Sequence, residues 1–320
     1  MSALILKINF CDFYKEFNKE DNFFTRIIEK YYEGYEISEK PDFLFYSCYG
    51  TDHLKYRHCV KIFYTAEPVT PDFNECDYAV GYDWISFEDR YFRRPIWLTE
   101  SSYFSGFYDI DDDKALNRRF CNFIYSNSNN GEGAIFRKKF AIALSRYKKV
   151  DCPGKVLHNM DATMSGREDK EWKKSKVDFI SQYKFTIAFE NTSMIGYSTE
   201  KMLHPLIAKS IPIYWGDPCV EREFNESALI YCNQYNSDID SIVERVVELD
   251  RDDEKYLAVL HQNPMREDFN KDEILEFEKW VIHIFEKGNN PFNKDSISLA
   301  NRMSIRNLSR KEKLIYFLKK

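Results

Sequence analysis

The sequence has no C-x-x-C pair. Its eight cysteines (Cys11, Cys48, Cys59, Cys76, Cys121, Cys152, Cys219 and Cys232) are scattered along 320 residues, so neither a zinc site nor a disulfide framework is signalled. They read as mostly buried thiols in a reducing compartment. Long apolar runs are missing too. The opening segment, MSALILKINFCDFYKEF, is too short in its apolar part for a signal peptide or a membrane anchor and reads as a first strand. Positive charge is not in excess. The net charge is −6 and the pI about 5.7, which argues against nucleic acid as a general partner. No G-x-G-x-x-G follows the early strands, and no G-x-x-x-x-G-K-[ST], G-x-S-x-G or H-E-x-x-H occurs. Dehydrogenase, P-loop kinase, α/β-hydrolase and zincin chemistry are therefore disfavoured.

What is present is a core and an alternation. Hydrophobic residues at 43% suffice for one large or two medium domains. Apolar runs at Leu4–Phe10, Asp42–Cys48, Val60–Tyr64, Asp77–Tyr82 and Pro95–Leu98 read as strands, and Asn22–Tyr32 has helical spacing. Asp109–Asp113 reads as an acidic linker. Its Asp-x-Asp spacing, like that of Asp238 and Asp240, is better explained by a solvated loop or a helix start than by a metal. The alternation then resumes. Phe120–Tyr125 is a strand, Ala134–Tyr147 a helix, Lys155–His158 a further candidate strand and Glu168–Gln182 a helix. Ala228–Tyr231 is a strand, followed by helices at Asp238–Leu249, Asp253–His261 and Glu273–Glu286. Short buried strands alternating with helices predict doubly wound parallel sheets.

The most informative stretch is YKFTIAFENTSMIGYSTEKMLHPLIAKSIPIYWGDP, Tyr183 to Pro218. Strand, polar loop, helix from Ser198 or Thr199 to about Lys209, and a second strand at Ile211–Trp215 make one βαβ unit. The loop and first helical turn of such a unit face a ligand crevice. Lys201 stands in that first turn, against the helix dipole. It is either paired with a neighbouring glutamate or placed there for an anion. Arg137, in the expected first turn of Ala134–Tyr147, is a second such cation. It reads as an exposed member of the run Arg137-Lys138-Lys139 or as a planar fork for a phosphate. Together the two point to a diphosphate ligand. Pro205, inside the predicted helix, calls for a kink or an early end.

These residues carry a resemblance. Phe189-Glu190-Asn191, Tyr197, Thr199-Glu200-Lys201, Pro212 and Gly216 resemble the signature of the α1,3/4-fucosyltransferases, glycosyltransferase family 10. IFYTAEPVTPDFNECDYAVGYD, Ile62 to Asp83, resembles the family's first-domain segment, and the helix at Arg137 a third family element. The likeness covers roughly residues 60–265. It implies a GT-B fold, two Rossmann-like domains facing a cleft. It also implies GDP-fucose as donor and inverting transfer to the 3-OH of GlcNAc or glucose in a surface glycan, with Lewis-x-type products. Carried over, Glu67 is the general base, with Ala66 departing from the usual glycine before it. Arg137 and Lys201 hold the diphosphate. Glu200 binds the ribose or the donor sugar, and Glu190, Asn191 and Tyr197 shape the nucleotide pocket. No cofactor or metal is required, with a divalent cation at most stimulatory. The alternatives are another nucleotide sugar in the same fold, or a nucleotide- or glycan-binding protein without turnover.

Residues 1–113 are thus expected to form an acceptor-binding domain and 114–290 a donor-binding domain, whose last helix returns to the first. Residues 291–320 form a basic tail. From Ser298 onward that tail has seven cations (Arg302, Arg306, Arg310, Lys311, Lys313, Lys319, Lys320) against Glu312, a charge of +6, leaving −12 for the rest of a chain totalling −6. Its apolar positions suit either an anionic membrane surface or packing on the body. The expected location is cytoplasmic, with a peripheral place on the inner membrane face. The heptad repeats of some bacterial relatives are missing, and with them the cue for dimerisation.

Overall fold

The computed structural model describes residues 5–101, 106–127, 131–161, 169, 171–266, 273–292, 309, 310 and 312; most of the basic tail lies outside them. The chain divides into two compact units. One takes the residues up to Gly81, Ile85–Arg93 and those from 271 on; the other takes Tyr82–Trp84 and Arg94–Asn270.

The first unit is built on a six-stranded, all-parallel sheet. Its strands are β1 (Leu6–Cys11), β2 (Tyr35–Ile37), β3 (Phe43–Tyr46), β4 (Val60–Tyr64), β5 (Tyr78–Gly81) and β6 (Tyr91–Arg93), in the order β2-β1-β3-β4-β5-β6. Helix α1 (Phe23–Tyr31) starts at Asn22, whose side chain accepts from the N–H groups of Phe24 and Thr25 while Thr25 returns a bond to Asn22, a capping box. One sheet face buries Ile8, Phe10, Phe43, Phe45, Ile62 and Val80 against α1. A helix from the far end of the chain, Glu273–Glu286, brings Phe277, Val281, Ile284 and Phe285 into that same core.

The second unit has five parallel strands: β7 (Arg119–Asn122), β8 (Val150–Asp151), β9 (Tyr183–Phe189), β10 (Ile211–Trp215) and β11 (Ile230–Tyr231), in the order β11-β10-β9-β7-β8. Helices cover both faces. Phe185, Ile187 and Phe189 of β9 point to a core shared with α4 (Glu132–Leu144), α7 (Ile239–Arg251) and α8 (Asp253–Leu260). Ala188 and Tyr214 point to the other face, covered by α2 (Ile96–Ser101), α5 (Trp172–Ile180) and α6 (Glu200–Ile207). The helix Glu273–Glu286 is α9, and the five-residue α3 is Asp112–Leu116.

Several expectations change. The run at Pro95–Leu98 is not a strand but the start of α2, with Trp97 buried against α6 residues; the sheet edge is Tyr91–Arg93 instead. Lys155–His158 is not a strand, and Leu157 there has a φ of 56°. The acidic segment Asp109–Asp113 is not an open linker. Asp111 caps α3 by accepting from Lys114 N–H, and Tyr108 N–H donates to Ile207 carbonyl, which ties the segment to the second unit. Asp238 likewise caps α7, accepting from Ser241 N–H. The expected end near Leu203 does not occur: the helix continues through Pro205 to Ile207, two residues short of Lys209. Lys209 takes a left-handed φ of 53°, its N–H bonding Leu206 carbonyl while Ser210 N–H bonds Pro205 carbonyl. This is a Schellman close with lysine in the position usually held by glycine.

Candidate active site

The centre of the second unit's site is the dipeptide Glu190-Asn191, at the end of the fully buried strand β9. The start of α4 lies directly on it. Gly133 N–H donates to Asn191 carbonyl at 3.1 Å. A Cβ on Gly133 would sit 2.1 Å from Glu190 carbonyl oxygen, so only glycine permits this approach. Four residues on, in the second turn of α4 rather than the first, Arg137 is 1% exposed. Its Nη1 donates to Asn191 Oδ1 (2.9 Å) and Phe189 carbonyl (3.4 Å), and its Nη2 to Asn127 carbonyl (2.8 Å). The guanidinium lies 4.0 Å from the centre of the Tyr125 ring. It is therefore not an exposed member of a basic run but a buried fork.

Lys201 approaches the same dipeptide from α6. Thr199 caps that helix and gives its hydroxyl and N–H to the Glu190 carboxylate at 2.8–2.9 Å. Lys201 Nζ stands 3.3 Å from Glu190 Oε2 and 3.2 Å from Glu200 Oε1. Glu190 has no solvent exposure. Burial pushes its carboxyl up and nearby Lys201 pulls against that, while Glu200 adds to the rise. Burial would also raise Glu200, but Lys201, Lys176 and His204 outweigh it and hold that carboxyl well below the usual range. For Lys201 burial works against the charge, and Glu200 and Glu190 more than restore it. Of the two readings of Lys201, the structure shows the first, the pairing with neighbouring glutamates. Its contacts are long for charge-assisted bonds.

Arg137 holds Asn191 and Lys201 holds Glu190, so the dipeptide bridges the two cations. Tyr197 joins them from the loop. It is buried, with its ring 5.0 Å from that of Tyr82. The six residues expected to meet the donor (Arg137, Glu190, Asn191, Tyr197, Glu200, Lys201) are thus gathered on one unit. Beside Lys201 a small crevice of about 20 Å³ is lined by Tyr125, Lys176, Glu200, Lys201, His204 and Pro205, among others.

Sequence reasoning missed Tyr125 and Asp217 as parts of the site, while Thr199 is the cap it offered. The Tyr125 hydroxyl accepts from Phe189 N–H (2.9 Å) and lies 3.0 Å from the Ile187 and Phe189 carbonyls. Asp217, fully buried, accepts from Gly196 N–H (2.8 Å) and Cys219 N–H (2.9 Å) and so clamps the Tyr197 loop. Both stand just beyond strand ends, which was the available signal.

Glu67 belongs to the first unit, in the loop after β4. It is partly exposed. Its N–H donates to Thr65 Oγ1 (2.9 Å), and the Tyr49 hydroxyl donates to its Oε1 at 2.8 Å.

Residues 8–100 match the family description Alpha-(1,3)-fucosyltransferase FucT N-terminal domain, and residues 116–278 match Glycosyltransferase family 10 (fucosyltransferase) C-term. The Helicobacter pylori alpha-(1,3)-fucosyltransferase FucT is 30% identical over 246 residues, 66% of this chain and 48% of that protein. The Drosophila melanogaster alpha-(1,3)-fucosyltransferase B is 33% identical over 105 residues, 32% of this chain and 24% of that one. The chain thus spans about half, or less, of the length of these relatives. A crystal structure of an alpha1,3-fucosyltransferase superposes with a TM-score of 0.71 at 25% identity, covering 88% of this chain and 91% of that one. A second, with GDP, gives 0.69 at 25%, covering 91% and 94%. The fold is of the GT-B class. The chain belongs to glycosyltransferase family 10, the fucosyltransferases.

Proposed function

We propose that this chain transfers L-fucose from GDP-fucose, with inversion, to the 3-OH of GlcNAc or glucose in a surface glycan such as N-acetyllactosamine. The observation that supports this most is the bridged pair of cations in the second unit, Arg137 on Asn191 and Lys201 on Glu190. One solved relative is described with GDP-fucose and another with GDP. Departure of GDP builds negative charge on the diphosphate. Arg137 and Lys201 are the groups to meet it, fixed in place and poorly solvated. No metal is needed for that role. Glu200 takes the ribose or donor sugar, while Glu190, whose carboxylate is engaged by Thr199 and Lys201, shapes the pocket together with Asn191 and Tyr197. Glu67 receives the proton of the acceptor hydroxyl. The hydroxyl oxygen bonds to the anomeric carbon as the bond to GDP breaks, so the anomeric configuration inverts.

No helix among the described residues is long and apolar enough to cross a membrane. The basic tail is proposed to meet an anionic membrane surface, which would bring the chain to lipid-borne acceptors. Glu67→Ala tests the assignment of the base. Turnover is expected to vanish while GDP affinity stays within about twofold. Equal loss of both would make Glu67 a structural residue.

A further inference from the structure

Three strands that lie side by side in the first unit, β1, β3 and β4, end at Cys11, Tyr46 and Tyr64. Three residues beyond each end stand Tyr14, Tyr49 and Glu67. The loops after parallel strands on this edge are where such sheets place ligands. Tyr14 and Tyr49 are 52% and 51% exposed, unusual for large aromatic rings in a chain whose other aromatics mostly fill its cores. Their rings meet edge to face at 6.4 Å and 79°, and Tyr14 meets Phe17 the same way at 5.9 Å and 87°. Edge contacts fix the ring planes and leave ring surface open. The Tyr49 hydroxyl is already committed, donating to Glu67 Oε1 at 2.8 Å.

The two loops are locked to one another. Tyr49 N–H donates to Asp12 carbonyl at 2.9 Å. The Asp12 carboxylate accepts from the N–H groups of Asp52 and His53, both at 2.9 Å, and pairs with His53 Nδ1 at 2.6 Å. Asp12 itself has a φ of 57°, a left-handed conformation that costs a non-glycine residue. Gly50 lies so close that a Cβ there would be 2.3 Å from Asp12 Oδ1. His53 is buried, stacks on Tyr46 at 4.1 Å, and turns its Nε2 toward Glu75 Oε2 at 3.2 Å. Strain at Asp12 and four bonds to its carboxylate, the fourth from the Cys11 thiol, are a large local investment for a surface turn. Its product is a fixed spacing between Tyr14, Tyr49 and the Glu67 carboxylate.

We propose that Tyr14 and Tyr49 form the acceptor shelf. On it a pyranose with an apolar C–H face lies against the rings, its equatorial hydroxyls directed at Glu67, and Tyr49 is also the positioning residue for that carboxylate. A hexopyranose presents such a face when its ring hydroxyls are equatorial, and stacking on a rigid aromatic selects that shape without reading each hydroxyl. The inference rests on the assignment of Glu67 as the base of a sugar transfer. Tyr49 stays protonated under working conditions, because burial and the Glu67 carboxylate that accepts its proton both push the phenol up. It is a hydrogen-bond donor to the base and not a competitor for its role.

Two measurements test the shelf. The first does not need turnover: saturation-transfer NMR of N-acetyllactosamine with the full chain, with GDP present. The wild type is expected to show saturation on the ring protons of one sugar face, and Tyr14→Ala to lose most of it while GDP affinity stays within about twofold. The second is kinetic. Tyr14→Ala should raise the acceptor KM about tenfold and more than it lowers kcat. Tyr49→Phe, which keeps the ring, should lower kcat about tenfold and displace the acid limb of the kcat profile, with the acceptor KM nearly unchanged. Undiminished saturation in Tyr14→Ala overturns the shelf. A Tyr49→Phe variant with wild-type kcat and pH profile overturns the positioning role. Failure of the fucosyl-transfer reading looks different. There the wild type transfers nothing, and the saturation pattern alone decides whether a sugar shelf exists.

Discussion

Lys201 Nζ lies 3.3 Å from Oε2 of Glu190, a carboxylate with no solvent exposure. A buried acid next to a cation that is still 16% exposed is a compromise between folding and binding. Removing one partner of a buried pair costs about 3–5 kcal/mol, whereas replacing both can be neutral. Lys201→Met alone should therefore lower the thermal midpoint sharply. Lys201→Met with Glu190→Gln should recover part of the midpoint, since Glu200 still loses its lysine, but not the affinity for GDP. Differential scanning fluorimetry and GDP titration calorimetry on the same samples separate the two effects.

Arg137 makes three hydrogen bonds with one planar group and lies over Tyr125. Lysine can replace the charge but not the fork. Arg137→Lys should weaken GDP binding about 10–100-fold, on the order of 1.5–3 kcal/mol for a lost charged hydrogen bond. GDP titration reads this directly. An affinity within threefold of wild type would mean that the charge alone suffices.

Gly216 closes the βαβ unit against Glu190. A Cβ there would be 2.4 Å from Glu190 Cγ and 2.9 Å from the Tyr214 hydroxyl. Gly216→Ala is expected to destabilise by about 1–3 kcal/mol and to raise the donor KM by displacing Glu190. Urea unfolding gives the first number and steady-state kinetics the second.

The acid side of the stability profile should trace in part to Asp12. Burial alone would raise its carboxyl. The N–H groups of His53 and Asp52 and the His53 ring outweigh that and hold it below its ordinary 3.8. A depressed carboxyl contributes stability above its unfolded value and loses it as the pH falls through the native one. Urea midpoints should therefore be insensitive to this group at neutral pH and should fall below about pH 4. Asp12→Asn should be less stable at pH 7, with a shallower acid limb.

Transfer should also survive chelation. Two cations on fixed side chains can meet the diphosphate charge, so an excess of EDTA should leave at least about half of the activity. A loss above tenfold, restored by Mg²⁺ or Mn²⁺, would assign that charge to a metal.

Much of the second unit's site was legible because its strands are continuous apolar runs and its helix opens on a capping threonine. β9 and β10 stand where their sequence places them, and the loop between them holds Glu190, Asn191, Tyr197, Glu200 and Lys201 as read. Arg137 was found by its residue type, but its setting was not. Burial under Tyr125 and the reach to Asn191 come from the close approach that Gly133 allows, which no local pattern displays. Three-residue strands such as Tyr35–Ile37 and Tyr91–Arg93 are specified by their neighbours in the sheet, not by their own alternation. The apolar start of α2 was misread because a run that short suits strand or helix equally; Trp97, packed against α6, decides it. The return of α9 to the first unit's core joins residues more than 200 positions apart, as in the contact of Lys30 with Glu278. The Asp12–His53 clamp left no trace in any motif.

The most direct measurement is to incubate the purified chain with labelled GDP-fucose and N-acetyllactosamine, then determine the linkage in the product. The proposed function predicts release of GDP in step with a trisaccharide carrying fucose on the 3-OH of GlcNAc, in inverted configuration, and no product from Glu67→Ala. No transfer by a chain that binds GDP, across a panel of GlcNAc- and glucose-terminated acceptors, would contradict it.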